Sequence, residues 1–413
     1  MPILLPEDMN IKLPRMLNVR QKFDSAQIDD AAARITEIMH EEKIASLVYP
    51  GQKVAVAVGS RMIDRIGIVV KQVILELKAL GAEPFIVTAM GSHGGGTPEG
   101  CRQILEDFGI TEETVGVPIK ADMDVVLLGQ ISGGIDVYTD KNSYEADMTV
   151  LINRIKPHTE FTGSVESGIC KLSTIGLGRH KGCTSLHKGN TLNFNTIIPE
   201  AAHMVFDKSN IGFAISILEN SFDKIRMLEG MTAEEVFERE PELLKIAKAS
   251  MPSIGIPEID ILVIEEIGKD ISGFGMDPNI VGLIGPKADE PTVPRIGKTI
   301  VVRLSEKSHG NACGIGLADL TTREVYDNID FESTYANSFA CDGSFGYWTE
   351  YIPIVMNDER EAIAGAMKML KIKDTENARI VRIKNTLKLS EIQVSESLKE
   401  YVESKPDRFE IIG

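Results

Sequence analysis

From Gln52 onward the chain alternates between two periodicities, and this alternation limits its fold more than any other feature. "QKVAVAVGS" (52–60) is a short apolar, β-branched run ending in Gly-Ser, and "IGIVVKQVILELKALG" then repeats apolar residues at helical spacing up to a stop at Gly81. "AEPFIVTAMGSH" reads as the next strand and "TPEGCRQILEDFG" as the next helix, with Thr97 as N-cap and Pro98 at the first helical position. Strand, helix, strand in succession implies a parallel sheet wound with helices, whose ligands sit at the carboxyl ends of the strands.

Further strands are expected at "DVVLLG" and "ADMTVLINRIK", and the stretch from Asn193 to about Lys248 reads as mostly helical. "SMPSIGIPEID" is a Pro/Gly-rich break, which divides the chain into an N-terminal domain, 1–252, and a C-terminal domain, 253–413. At 413 residues the chain exceeds what one ordinary core accommodates, so two domains are also expected from size. In the second, "IDILVIEEIG", "KTIVVRLSE", "YIPIVMN" and "ARIVRIKN" read as strands, and "DEREAIAGAMKMLK" and "SEIQVSESLKEYVES" as helices. The expectation is two α/β domains with parallel-type sheets. A long Gly-rich segment, "GKDISGFGMDPNIVGLIGPKADEPTVPR", interrupts the second domain, and loops of that length are usually functional or mobile.

With 44 Lys+Arg against 61 Asp+Glu, the net charge of −17 repels a phosphate backbone or an anionic membrane, so neither nucleic acid nor membrane is an expected partner. No apolar run approaches the roughly 20 residues of a membrane span, and "MPILLPEDMNIKLPR" lacks the basic flank and apolar stretch of a signal peptide, so a cytoplasmic location is expected. The five cysteines are odd in number and none is spaced as CxxC, which indicates buried free thiols.

Seven histidines serve the whole chain, yet three fall within Asn153–His187, "NRIKPHTEFTGSVESGICKLSTIGLGRHKGCTSLH". A solvated basic face would explain Lys, Arg and His together, but Gly163, Gly168, Gly176, Gly178 and Gly182 argue against a simple exposed helix. "KPH" sets His158 at the end of a strand, and "TGSVESG" follows as a loop rich in backbone donors, suited to phosphate or carboxylate. Lys171 lies among apolar neighbours, where an amine must snorkel, pair or be chemically engaged. His187 suits a metal. Upstream, "GSHGGG" places His93 at another strand end, without the GxGxxG or GxxxxGK[ST] patterns of nucleotide loops. His40 and His203 read as structural, His180 as secondary, and His309 as a residue at a strand end that could border a cleft.

These residues resemble the nickel-pincer-nucleotide lactate racemases and related 2-hydroxyacid racemases and epimerases. The resemblance rests on Arg61 in "VGSR", His93, the pair Pro157-His158, Lys171, and His187 sixteen positions later, and spans roughly residues 50–345. It implies two α/β domains with the active site in the cleft between them. It implies Lys171 as the cofactor's thioamide tether, His187 as the protein ligand of nickel, His93 and His158 as acid and base, and Arg61 on the substrate carboxylate. Ser167 and Gly168 would border the cofactor. Other enzymes must build that cofactor, and the oligomeric state is left open. The chain departs from the family in having Cys170 before the lysine, Val58 three residues before the arginine, and Val281, Gly282 and Gly285 after "DPN". Lactate itself is therefore not implied, and Lys269 or Lys287 would have to supply the missing substrate cation. A 2-hydroxyacid inverted at C2 by hydride transfer is the expected chemistry. A metal-dependent hydrolase using the same histidines, or a non-catalytic organic-anion-binding protein, stands beside it.

Overall fold

The computed structural model describes residues 4–189, 193–282, 294–340 and 347–412. They form two compact units, one of residues 24–251 and one joining residues 1–23 to 252–413. The division at Met251 and Pro252 falls in the Pro/Gly-rich break. The first residues depart from the sequence expectation of a 1–252 domain. Strand β1 (Met16–Gln21) is hydrogen-bonded between two C-terminal strands, and its backbone pairing decides the unit it joins.

In the unit of 24–251 the strands are β2 (Lys53–Val58), β3 (Glu83–Thr88), β4 (Ile119–Lys120), β5 (Val125–Ile131), β6 (Ile135–Asp140), β7 (Met148–Arg154), β8 (Ile211–Glu219) and β9 (Ile225–Thr232). The main sheet runs β4-β3-β2-β7-β8-β9, parallel except for the antiparallel edge pair β8 and β9. β5 and β6 form a separate antiparallel ribbon. Alternation along β2 explains the two-sided core. Val54, Val56 and Val58 pack with helices Ala31–Met39 and Ile66–Ala79, whereas Ala55 and Ala57 face the layer of Phe194, Ile198 and Leu172. Thr97 caps helix Pro98–Asp107 as expected, accepting from Gly100 N at 3.1 Å.

Two expectations of helix fail. Between helices Phe194–Lys208 and Val236–Ser250 the chain makes β8 and β9. "IGFAISILE" is a continuous apolar run, and a strand buried on both faces carries no period that separates it from a buried helix.

In the other unit, β10 (Glu258–Ile267), β11 (Arg295–Leu304), β12 (Leu320–Thr322), β13 (Ile354–Met356), β14 (Ile380–Asn385), β15 (Lys388–Ser395) and β16 (Phe409–Ile411) join β1 in one sheet, ordered β13-β12-β11-β10-β14-β15-β1-β16. β10 to β14 are mutually parallel where they pair, and β15, β1 and β16 add an antiparallel edge. Here "SEIQVSESLKEYVES" is the second failure, since its first half is β15 and only Lys399–Glu403 is α-helical. Asn385 causes this: its Oδ1 accepts from Leu387 N and Lys388 N, closing a tight turn that folds β15 back on β14. Among the described residues no helix is long and apolar enough to cross a membrane.

Candidate active site

Arg61, His93 and His158 follow the carboxyl ends of β2, β3 and β7, which are neighbours in the order β3-β2-β7. The order switches direction between β2 and β7, the place where a doubly wound sheet opens a crevice. After β3 the chain turns through Gly94–Gly96, and His93 Nδ1 is hydrogen-bonded to Ser60 Oγ, which ties the end of β3 to the end of β2. The glycines serve a close approach, but by protein rather than ligand: a Cβ at Gly94 would lie 2.6 Å from the carbonyl carbon of Gly100. His180 is exposed and its ring packs over Gly96.

After β7, Lys156 and Ser167 exchange two backbone hydrogen bonds of 2.8 and 3.1 Å that close the loop between them. The sequence expects this loop to cradle an anion, and the anion it holds is the chain's own. Buried Glu166 accepts from His158 N at 2.7 Å and Gly163 N at 3.2 Å, and pairs with Lys248 at 2.6 Å. Ser167 is thus part of the bridge. Gly168 is buried against Glu240, whose carboxyl a Cβ there would strike.

Lys171 ends the short helix Ile169–Lys171, and the chain continues through a π-helical turn, Leu172–Gly176, into helix Arg179–His187. Sixteen residues of straight α-helix would separate Lys171 from His187 by roughly 24 Å. Instead both act electrostatically on His158. The bend comes from the π turn and from Arg179, which holds φ 54 with its guanidinium fully buried, bonded to Asp140 and to Thr88 at the end of β3.

Four rings continue the connection: His158 and Phe161 at 4.6 Å, Phe161 and Phe194 at 5.6 Å, Phe194 and His187 at 5.0 Å between centroids. In this partly apolar setting burial disfavours charge. It holds the His93 imidazole down at about 4, with Arg61 and Lys171 adding to the effect. His158 is lowered well below its ordinary value by burial, then by Lys171, Arg61 and His187. Burial also brings the Lys171 amine down to about 8, against an opposing pull from Glu160. At His187 burial works the other way from the outcome: the Cys183 thiol beside it outweighs burial and raises the imidazole.

Sequence reasoning therefore names five residues that the fold does gather, Arg61, His93, His158, Lys171 and His187, all in one unit. It misses Ser60, Glu160, Cys183 and Glu240. Cys183 was findable, four residues before His187 and so on the same helical face; Glu240 was not, because it comes from a distant helix. His203 stacks on Phe237 at 3.8 Å, and His40 closes helix Ala31–Met39 through Nδ1 and Thr36 O, both structural. His309 and Lys269 belong to the other unit, where Lys269 Nζ donates to Gly273 O at 2.7 Å. Lys287 and Gly285 lie outside the described residues, as does Cys341; the other four cysteines are free and buried.

The donor set suits one kind of metal centre. Among the described residues no three His, Cys, Asp or Glu side chains converge to hold a bare ion. His187 Nδ1 is bonded to Cys183 O at 2.7 Å, which in the neutral ring puts the proton on Nδ1 and leaves Nε2 its lone pair. A metal here would bring most of its own ligands.

Residues 2–196 match the lactate racemase N-terminal domain. No curated protein matches the chain. Among solved structures, the lactate racemase apoprotein from Thermoanaerobacterium thermosaccharolyticum is similar in fold, with TM-score 0.56 at 12% identity over 94% of this chain and 96% of its own. A crystal structure of a Thermotoga maritima protein gives TM-score 0.46 at 15% identity, over 74% of this chain and 80% of its own.

Proposed function

We propose that this chain, whose residues 2–196 belong to the lactate racemase N-terminal domain family, is a racemase or epimerase that inverts C2 of a small 2-hydroxyacid with a nickel-pincer nucleotide held by Lys171 and His187. The observation that carries the reading is the pairing of an amine and a metal-ready imidazole on one bent helical segment, beside two histidines and an arginine. When bound, the group supplies a carbon able to accept and return hydride, which spares the substrate the unstable dianion that proton abstraction beside a carboxylate would create. Lys171 would anchor it covalently and His187 Nε2 would ligate its nickel. A group that carries its own donor atoms fits a site with a single oriented imidazole.

Arg61 makes no hydrogen bond or ion pair among the described residues, and it is close enough to lower both His93 and His158. Its guanidinium is thus available for the substrate carboxylate. His93 and His158 follow the ends of the two strands that flank β2 and are both held neutral, so each can take the hydroxyl proton of one enantiomer and return it to the other. A hydrolase built on the same histidines would need about three protein ligands to its metal, and a passive anion binder would give the Lys171 amine no task.

The test is protein made in a host that builds the cofactor. About one nickel per chain and an added mass on the peptide containing Lys171 are expected. Fully active protein with an unmodified Lys171 would overturn the assignment. Substrate deuterated at C2 should give inverted product that keeps its deuterium in ordinary water.

A further inference from the structure

The hydrogen bonds around His158 fix where its ring carries a proton. Glu160 N donates to His158 Nδ1 at 3.1 Å, so that nitrogen bears no proton and the neutral ring must carry its hydrogen on Nε2. His158 Nε2 is in turn hydrogen-bonded to Lys171 Nζ. An Nε2–H group can only donate, and an ammonium has no lone pair to accept with. The contact therefore requires Lys171 as an uncharged amine. Beside it stands Arg61, an unpaired guanidinium close enough to act on the Lys171 charge.

We propose that the cofactor-free protein captures small 2-oxoacids as an imine on Lys171, with Arg61 on the carboxylate and His158 as the proton donor. The Lys171 lone pair attacks the carbonyl carbon, and the displaced electron pair of C=O is protonated at oxygen by His158 Nε2–H. The nitrogen then sheds one proton, which restores His158. Loss of the second proton and of the hydroxyl as water leaves a C=N bond, so that amine plus oxoacid gives imine plus water with no redox change. This capture needs neither nickel nor nucleotide, and its outcome is independent of the racemase reading.

Cofactor-free protein incubated with glyoxylate and cyanoborohydride should gain one carboxymethyl group on Lys171, faster than on exposed lysines such as Lys181. The rate should rise with a midpoint near pH 8, set by burial of Lys171 against the opposing and assisting charges around it: Glu160, Arg61 and Cys183, with His158 and His93 neutral. Arg61→Met should slow labelling by glyoxylate about 10-fold or more, the weight of one charge-assisted contact. It should slow labelling by acetaldehyde, which has no carboxylate, distinctly less, because there only the loss of Arg61's charge on the Lys171 amine is felt. Because that comparison is internal to one folded sample, it does not depend on the variant's stability. Labelling of Lys171 no faster than of Lys181, or an equal loss with both aldehydes, would overturn the proposal.

Discussion

His158 shows how much a single backbone amide decides. With Nδ1 accepting from Glu160 N, the ring offers a proton at Nε2, whereas the His93 ring is fixed through Nδ1 to Ser60 and held down at about 4. The two rings are thus held in different ways, although the sequence presents them as similar strand-end residues. Replacing either by Ala should lower turnover of loaded enzyme by roughly 10²-fold or more, the usual scale for acid or base catalysis. The measurement is the steady-state rate at matched nickel content, and unchanged rates in both variants would remove the two-histidine scheme.

At the scale of elements, the segment 169–187 is held from beneath by helix Val236–Ser250. Glu240 of that helix is fully buried, accepts from Cys170 N at 2.9 Å, and leaves Oε1 without a hydrogen-bond partner. Burial pushes its carboxyl from 4.5 up to about 7. A carboxyl raised on folding is most favourable when protonated, so its contribution is complete below pH 4.5 and is lost as pH rises through about 7. Glu240→Gln keeps an acceptor for Cys170 and cannot ionise. It should raise the melting temperature at pH 8 relative to the parent and leave it nearly unchanged at pH 4.5, as read by thermal denaturation at the two pH values. A variant equally or less stable at pH 8 would mean that Glu240 stays ionised and is paired.

The described residues form two large sheets and a two-stranded ribbon, and membership of the large sheets does not follow chain order. β1 sits between β15 and β16, with Val19 fully buried, and the N-terminal Leu4 joins the apolar cluster of Ile261 and Val263. Deleting residues 1–23 should therefore loosen the unit of 252–413 and leave the unit of 24–251 near its native protection. Hydrogen exchange resolved by peptide reads this directly: faster exchange in β15 and β16 with little change in β2 and β7. Equal loss in both units would show that they fold as one.

Local chemistry is what the sequence determined. Alternating periods at residues 52–107 set a parallel sheet, because strand and helix spacing are properties of adjacent residues, strand-end positions marked His93 and His158, and the family resemblance added Arg61. Buried strands such as β8 escaped, since burial on both faces erases the period, and β15 escaped because the turn at Asn385 outweighs helical composition. Only tertiary structure decided that the donor-rich loop closes on Glu166, that Arg179 bends the chain so that Lys171 and His187 both act on His158, and that burial brings the Lys171 amine down to about 8. Each of those depends on contacts between separate segments of the chain, and proton position and backbone strain exist only once such neighbours are in contact.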